Sequence, residues 1–201
     1  MSRTAFKDLE TSGELLVDLG LMPVSHRFQP GDGQSQAPAF PLQLRIDPET
    51  GLLHQGKPFP VEALTPHFDW LSRFEPEEHL DHLADTLSRL PGVSRSSVFA
   101  GVSFKDDSTL RRLERMGFPH HWRLDPAEDL EISNPCASVE TLQGALTPAV
   151  AHAIRDRRGA AEVLLVRHLL EHAHDLPTFV AALRHLVVPD GYLVLEVPDC
   201  E

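Results

Sequence analysis

Asp125, standing before Pro126, is a residue type that accepts hydrogen bonds from a ribose diol when it sits at the end of a parallel strand. The distance from Gly101 to Asp125 matches the roughly 20 residues that separate a nucleotide loop from such an acid. An aspartate before proline is equally a turn residue, so two readings stand here. The stretch Gly101 to Ser108 lies where a cofactor loop would be, with Asp107 near its end. It has one glycine, and Phe104 and Lys105 put bulk where backbone must approach a ligand closely. An ordinary strand-to-helix connection explains it as well. A third group runs from Arg167 to His172. His168 and His172 are four apart and would share one face of a helix, as metal ligands can. No thiolate or third fixed ligand accompanies them, so solvated or capping histidines are the favoured reading and no metal site is assigned. His172 is of the residue type that serves as a general base.

The elements that position these groups alternate. Helical spacing puts Leu80, Leu83, Leu87 and Leu90 on one face of a helix over Pro76–Leu90. Ser97–Gly101 reads as a strand, Thr109–Met116 as a helix, His121–Leu124 as a strand and Pro148–Arg155 as a helix. Val163–Val166 is apolar throughout, as strands buried on both faces are. Pro177–Val188 reads as an amphipathic helix, Pro189-Asp190-Gly191 as a turn and Tyr192–Val197 as a strand. This order predicts an α/β fold, a Rossmann-like doubly wound parallel sheet with helices on both faces. The candidate groups Gly101–Asp107, Leu124-Asp125 and Arg167–His172 all fall at its strand carboxyl ends, where such sheets bind ligands. The sequence stops just after an apolar strand, so the sheet is expected to be unfinished at its C-terminal end, and to leave an edge for a partner.

The first 62 residues differ in character. Leu15–Gly20 is a short apolar run, and Phe40–Ile46 alternates with the period of a half-buried strand. Asp47–Gly51 is a turn after which Leu52–His54 returns as a hairpin, while Gln29–Pro38 is a loop by composition. The expected organisation is a small β-rich module (1–62), a helical connector (63–95) and the Rossmann-like domain (96–201). The net charge of −12, from 30 acidic against 18 basic residues, repels phosphate backbones and argues against nucleic-acid binding. No apolar run approaches the roughly 20 residues that span a bilayer. Met1–Glu10 lacks a leader's apolar segment, and Cys136 and Cys200 are too few for a disulfide framework. A cytoplasmic protein without membrane association is expected.

Val166–Leu176, followed by a helix and Val188–Pro198, resembles class I S-adenosylmethionine-dependent methyltransferases. The whole chain is similar to the sugar C-methyltransferase type, which has a zinc-binding N-terminal domain. The matching stretches, in order, are Asp18–Phe28, Phe40–Leu42, Gly51–Gln55, Val98–Leu110 and Leu124–Ala127. The resemblance implies S-adenosylmethionine as cofactor, held by Gly101, Asp107, Asp125 and Arg167. It also implies a small-molecule methyl acceptor such as a nucleotide sugar. In an active enzyme the base facing the methyl group would be His172 or would come from a partner chain. The departures are specific. Asp47 and Thr50 stand where the family's second cysteine pair belongs, and no cysteine precedes Leu15, so zinc is not expected. Ser108 replaces a loop glycine, and the family's catalytic segment after the last strand has no counterpart. Two functions follow as expectations: an active methyltransferase, or a catalytically inactive methyltransferase-like subunit that completes or regulates a partner. That partner would be another protein or a second copy.

Overall fold

In Phe40–Ile46 the alternating side chains give the strand that their spacing predicts, and it pairs on both sides. The computed structural model describes residues 13–25, 37–67 and 76–199. Residues 1–12, 26–36 and 200–201, which hold Met1–Glu10, most of the Gln29–Pro38 loop, the end of the Asp18–Phe28 match and Cys200, lie outside them. The chain divides into two compact units, one within residues 1–68 and one within 69–201.

The first unit contains β1 (Glu14–Pro23), β2 (Ala39–Ile46) and β3 (Leu53–Gln55) in an antiparallel sheet of order β1-β2-β3, followed by the short helix α1 (Val61–Leu64). The β2–β3 turn is closed by Asp47, whose Oδ1 accepts the N–H groups of Glu49 at 2.8 Å and Thr50 at 2.9 Å. Asp47 therefore ties a hairpin at the position where the resembled family would have a cysteine. Those N–H bonds, Thr50's first, hold its carboxyl below the usual range against a small desolvation cost. In β1 the Asp18 carboxylate accepts the Gly20 N–H at 2.8 Å and the Gln43 amide at 2.9 Å, beside an irregularity in the pairing between Asp18 and Leu21. Every residue of β1 is exposed, including Leu15, Leu16, Val17, Leu19, Leu21 and Met22. Val24 and Ala63 are the buried hydrophobics among the described residues of this unit.

The second unit begins with α2 (His79–Ser88), then β4 (Phe99–Gly101), α3 (Asp107–Arg115), β5 (His121–Arg123), α4 (Pro126–Leu130), α5 (Val139–Ala145), α6 (Pro148–Arg158), β6 (Ala161–Arg167), α7 (Leu176–Leu186) and β7 (Val187–Glu196). The strands are all parallel in the order β5-β4-β6-β7. This is the expected Rossmann-like, mixed α/β architecture, preceded by a separate small β sheet. Period-2 geometry splits each strand between two cores. Val163 and Leu165 of β6, with Phe99 of β4, pack against Ala84 and Leu87 of α2 and Leu110 and Leu113 of α3. Leu164 and Val166, with Ala100, pack on the other side against Leu142, Ile154, Phe179 and Leu183 from α5, α6 and α7. Both faces of β6 are covered, which is why its sequence is apolar without alternation.

Helix ends follow the local chemistry. Thr147 caps α6 by accepting the Val150 N–H at 3.3 Å, with Pro148 behind it. Asp175 caps α7 by accepting the Thr178 N–H at 3.0 Å. The turn expected at Pro189-Asp190-Gly191 is instead a wide irregularity inside β7. The register passes from Ala161 opposite Val187 directly to Val163 opposite Tyr192. Gly191 is required there, because a Cβ would come within 2.8 Å of the Glu162 carbonyl oxygen. Among the described residues, no helix is long and apolar enough to cross a membrane.

Candidate functional site

In the order β5-β4-β6-β7 the chain runs outward from β4 to β5, then crosses back to β6 on the other side. The crevice beyond β4 and β6 is thus the topological switch point, the usual ligand position in this architecture. Three of its backbone N–H groups converge there: those of Val102 and Ser103 after β4 and that of Arg167 in β6.

They converge on Asp106. Its Oδ2 accepts from Val102 at 2.8 Å and Ser103 at 2.9 Å, and its Oδ1 accepts from Arg167 at 3.2 Å. Ser103 and Asp106 also form a capping box on a single 3-10 turn, Phe104–Asp106, which bends the carboxylate back under the strand ends. Asp106 is wholly buried. Burial pushes its carboxyl up to about 7, although the N–H bonds from Ser103 and Val102 and the charge of Arg167 all pull it down. Gly101 is explained by the same packing. A Cβ on it would lie 2.7 Å from the Asp106 Cβ, so the close approach that a glycine permits here is taken by the protein's own side chain.

Arg167 is also committed. Its Nε donates to Glu196 Oε2 at 2.7 Å, its Nη2 to Glu196 Oε1 at 3.0 Å, and its Nη1 to the Lys105 carbonyl. The fork geometry makes this a bidentate pair with a 3% exposed guanidinium. Burial works to raise the Glu196 carboxyl, but Arg167 and then His79 outweigh it and hold it low. His79 at the start of α2 lies 3.3 Å from Glu196 Oε1, and His168 Nε2 lies 3.1 Å from the same oxygen. His168 takes a left-handed backbone, φ 53°, which is uncommon for a histidine and is stabilised by its N–H to the Glu196 carbonyl at 2.9 Å.

The other predicted residues lie apart from this cluster. Asp107 opens α3 and pairs with Arg123 of β5 at 2.8 Å. Asp125 caps α4, its Oδ1 accepting the N–H groups of Ala127 and Glu128, each at 2.9 Å. The Glu128 bond is the main reason its carboxyl sits below the usual range, with Arg123 and Arg158 assisting. His172 ends a 3-10 turn, Leu170–His172, and is half-buried. Its neighbour His174 is pushed down by burial and then by His172. Among the described residues, no three His, Cys, Asp or Glu side chains converge as a metal site.

The structure therefore joins Gly101 and Arg167 through Asp106, places Asp107 and Asp125 on the β5 side, and leaves His172 on the loop after β6. Asp106, Glu196 and His79 are the members that sequence reasoning did not single out, whereas His168, weighed there beside His172 as a ligand type, instead meets Glu196. The spacing Ser103-x-x-Asp106 is a capping-box signature, which marks Asp106 as the acid that reaches back to the Ser103 N–H, though not as buried. The fold and switch point define the class, a Rossmann-like α/β protein. The chain matches no protein-family model and no curated protein.

Proposed function

We propose that this chain is a methyltransferase-like protein that has lost catalysis and serves as a cytoplasmic binding subunit, completing or regulating a partner protein. The observation that supports this most is the filled switch point. Asp106 takes the three N–H groups that a ligand would meet, and Arg167 spends its guanidinium on Glu196 and Lys105. In this arrangement these residues do not fit S-adenosylmethionine. A partner role is further supported by β1, an exposed edge strand with apolar side chains along its length.

Asp125 favours a second reading, an active methyltransferase acting on a small molecule such as a nucleotide sugar. Both cap hydrogen bonds fall on its Oδ1, and its Oδ2 is the oxygen that a ribose diol would meet. Isothermal titration with S-adenosylmethionine decides between the two. The binding-subunit reading expects no heat up to millimolar ligand, together with an oligomer or complex by light scattering. Saturable binding that Asp125→Ala abolishes would establish the second reading instead. A stable monomer that retains no partner on pull-down would remove the support for a subunit.

A further inference from the structure

We infer that Glu196 anchors a pH-sensitive clasp: protonated His168 and His79 hold the loop after β6 and the start of α2 to the end of β7, and the neutral rings release that loop. Three elements meet at one carboxylate oxygen. Glu196 Oε1 receives Arg167 Nη2 at 3.0 Å, His168 Nε2 at 3.1 Å and His79 Nε2 at 3.3 Å. The other ring nitrogen of His168, Nδ1, lies 3.5 Å from Glu171 Oε1. A ring with a carboxylate at each nitrogen needs a proton on both to meet both, and that form is the imidazolium. Neutral His168 turns a bare lone pair toward one of the two carboxylates, so one side of the clasp opens. Neutral His79 still donates from a protonated Nε2, but without the charge that strengthens the bond.

The charges around the clasp balance within this change. Glu196 and Glu171 face Arg167 and the two rings, so the cluster is one charge negative with both rings neutral and one charge positive with both protonated. The neighbouring groups are engaged elsewhere. Glu77, before α2, pairs with Arg112 and accepts the Ser108 hydroxyl, and Glu78 is exposed. Asp106 accepts the Arg167 N–H, Lys105 gives its carbonyl to the guanidinium, and His172 acts on His174. The segment that responds is short and strained. His168 has φ 53°, and a single 3-10 turn, Leu170–His172, follows and carries Glu171. A residue in a sparsely populated conformation beside one turn is an element that a histidine switch can bias. The inference rests on this cluster and does not depend on the methyltransferase reading or on any partner.

The test follows the loop by nuclear relaxation in the full isotopically labelled chain at about pH 5.5 and about pH 8, on either side of the range where histidine titrates. At the lower pH the His168 ring is expected to carry a proton on both nitrogens, and the amides of Leu170, Glu171 and His172 to show order parameters near about 0.85. At the higher pH these amides are expected to fall below about 0.6, while those of Leu164–Val166 in β6 stay rigid. Glu171→Gln should leave the loop mobile at both pH values. His168→Asn, which keeps a residue type that tolerates the left-handed backbone, should do the same. His79→Gln isolates the α2 arm: it should abolish the pH response of the Leu80 amide and leave that of the loop. Equal order at both pH values in the wild-type chain overturns the inference, and so does an unchanged pH response in folded Glu171→Gln. Where a variant does not fold, the wild-type comparison decides by itself.

Discussion

On its β6 side, strand β4 meets a carboxylate, a guanidinium and three backbone N–H groups that are already committed to one another. On its β5 side the acids are at or near the surface: Asp107 pairs with Arg123, and Asp125 caps a short helix. Both sides are carboxyl ends of parallel strands, and both were read as ligand positions. What separates them is desolvation. A buried carboxylate or arginine must find partners within the protein, whereas a surface acid satisfies part of its capacity with water. The predicted residues thus fall into two physical classes, and mutation should treat them differently.

The largest expected effect is on the committed side. Arg167→Ala leaves Glu196 without its bidentate donor and the Lys105 carbonyl without its partner, and should cost about 3–5 kcal/mol in urea unfolding. A loss under about 1 kcal/mol would erase the distinction between the two sides, because that is what a surface pair gives.

Next comes the pH dependence of Asp106. Its carboxyl sits at about 7 in the fold against an ordinary value of 3.8. Between those values the folded chain keeps a proton that the unfolded chain has lost. Its contribution to stability therefore falls as pH rises from about 4 to about 7, by roughly 1 kcal/mol per pH unit, and is level above that. Asp106→Asn should flatten this slope in unfolding curves measured across the same range. An identical slope in the variant would assign the titration to another group.

On the β5 side, Arg123→Ala removes a pair whose members are about one-third exposed, and should lower stability by about 0.5 kcal/mol. The smallest effect on folding is expected in the first unit. Leu21→Asp changes a side chain that is 69% exposed, so the unfolding free energy should stay within about 0.5 kcal/mol of wild type. Association measured by light scattering should weaken all the same. Unchanged association in this variant would move the partner surface away from β1.

The alternation of β6, α7 and β7 was legible because the apolar runs and caps are local. Val163–Val166 is buried on both faces, and Pro177 follows its cap Asp175. The short helices α4 and α5 were not legible, since five and seven residues are too few to show a helical period. The Pro189-Asp190-Gly191 turn was misread because a strand irregularity uses the same residue types. At the site, spacing located the strand ends but did not settle which of two adjacent acids turns inward. The spacing points to Asp107, and Asp106 is the buried one. The role of Arg167 depends on Glu196, which comes opposite it only once β7 lies beside β6. That is tertiary information, and no local pattern carries it.

The central claim is that the switch-point crevice is filled by the protein itself. Titrating S-adenosylhomocysteine into the isotopically labelled wild-type chain, and following the amide resonances of Val102, Ser103 and Arg167, tests it most directly. The account predicts that all three stay in place up to millimolar ligand. Saturable movement of these resonances in the wild-type protein would contradict it.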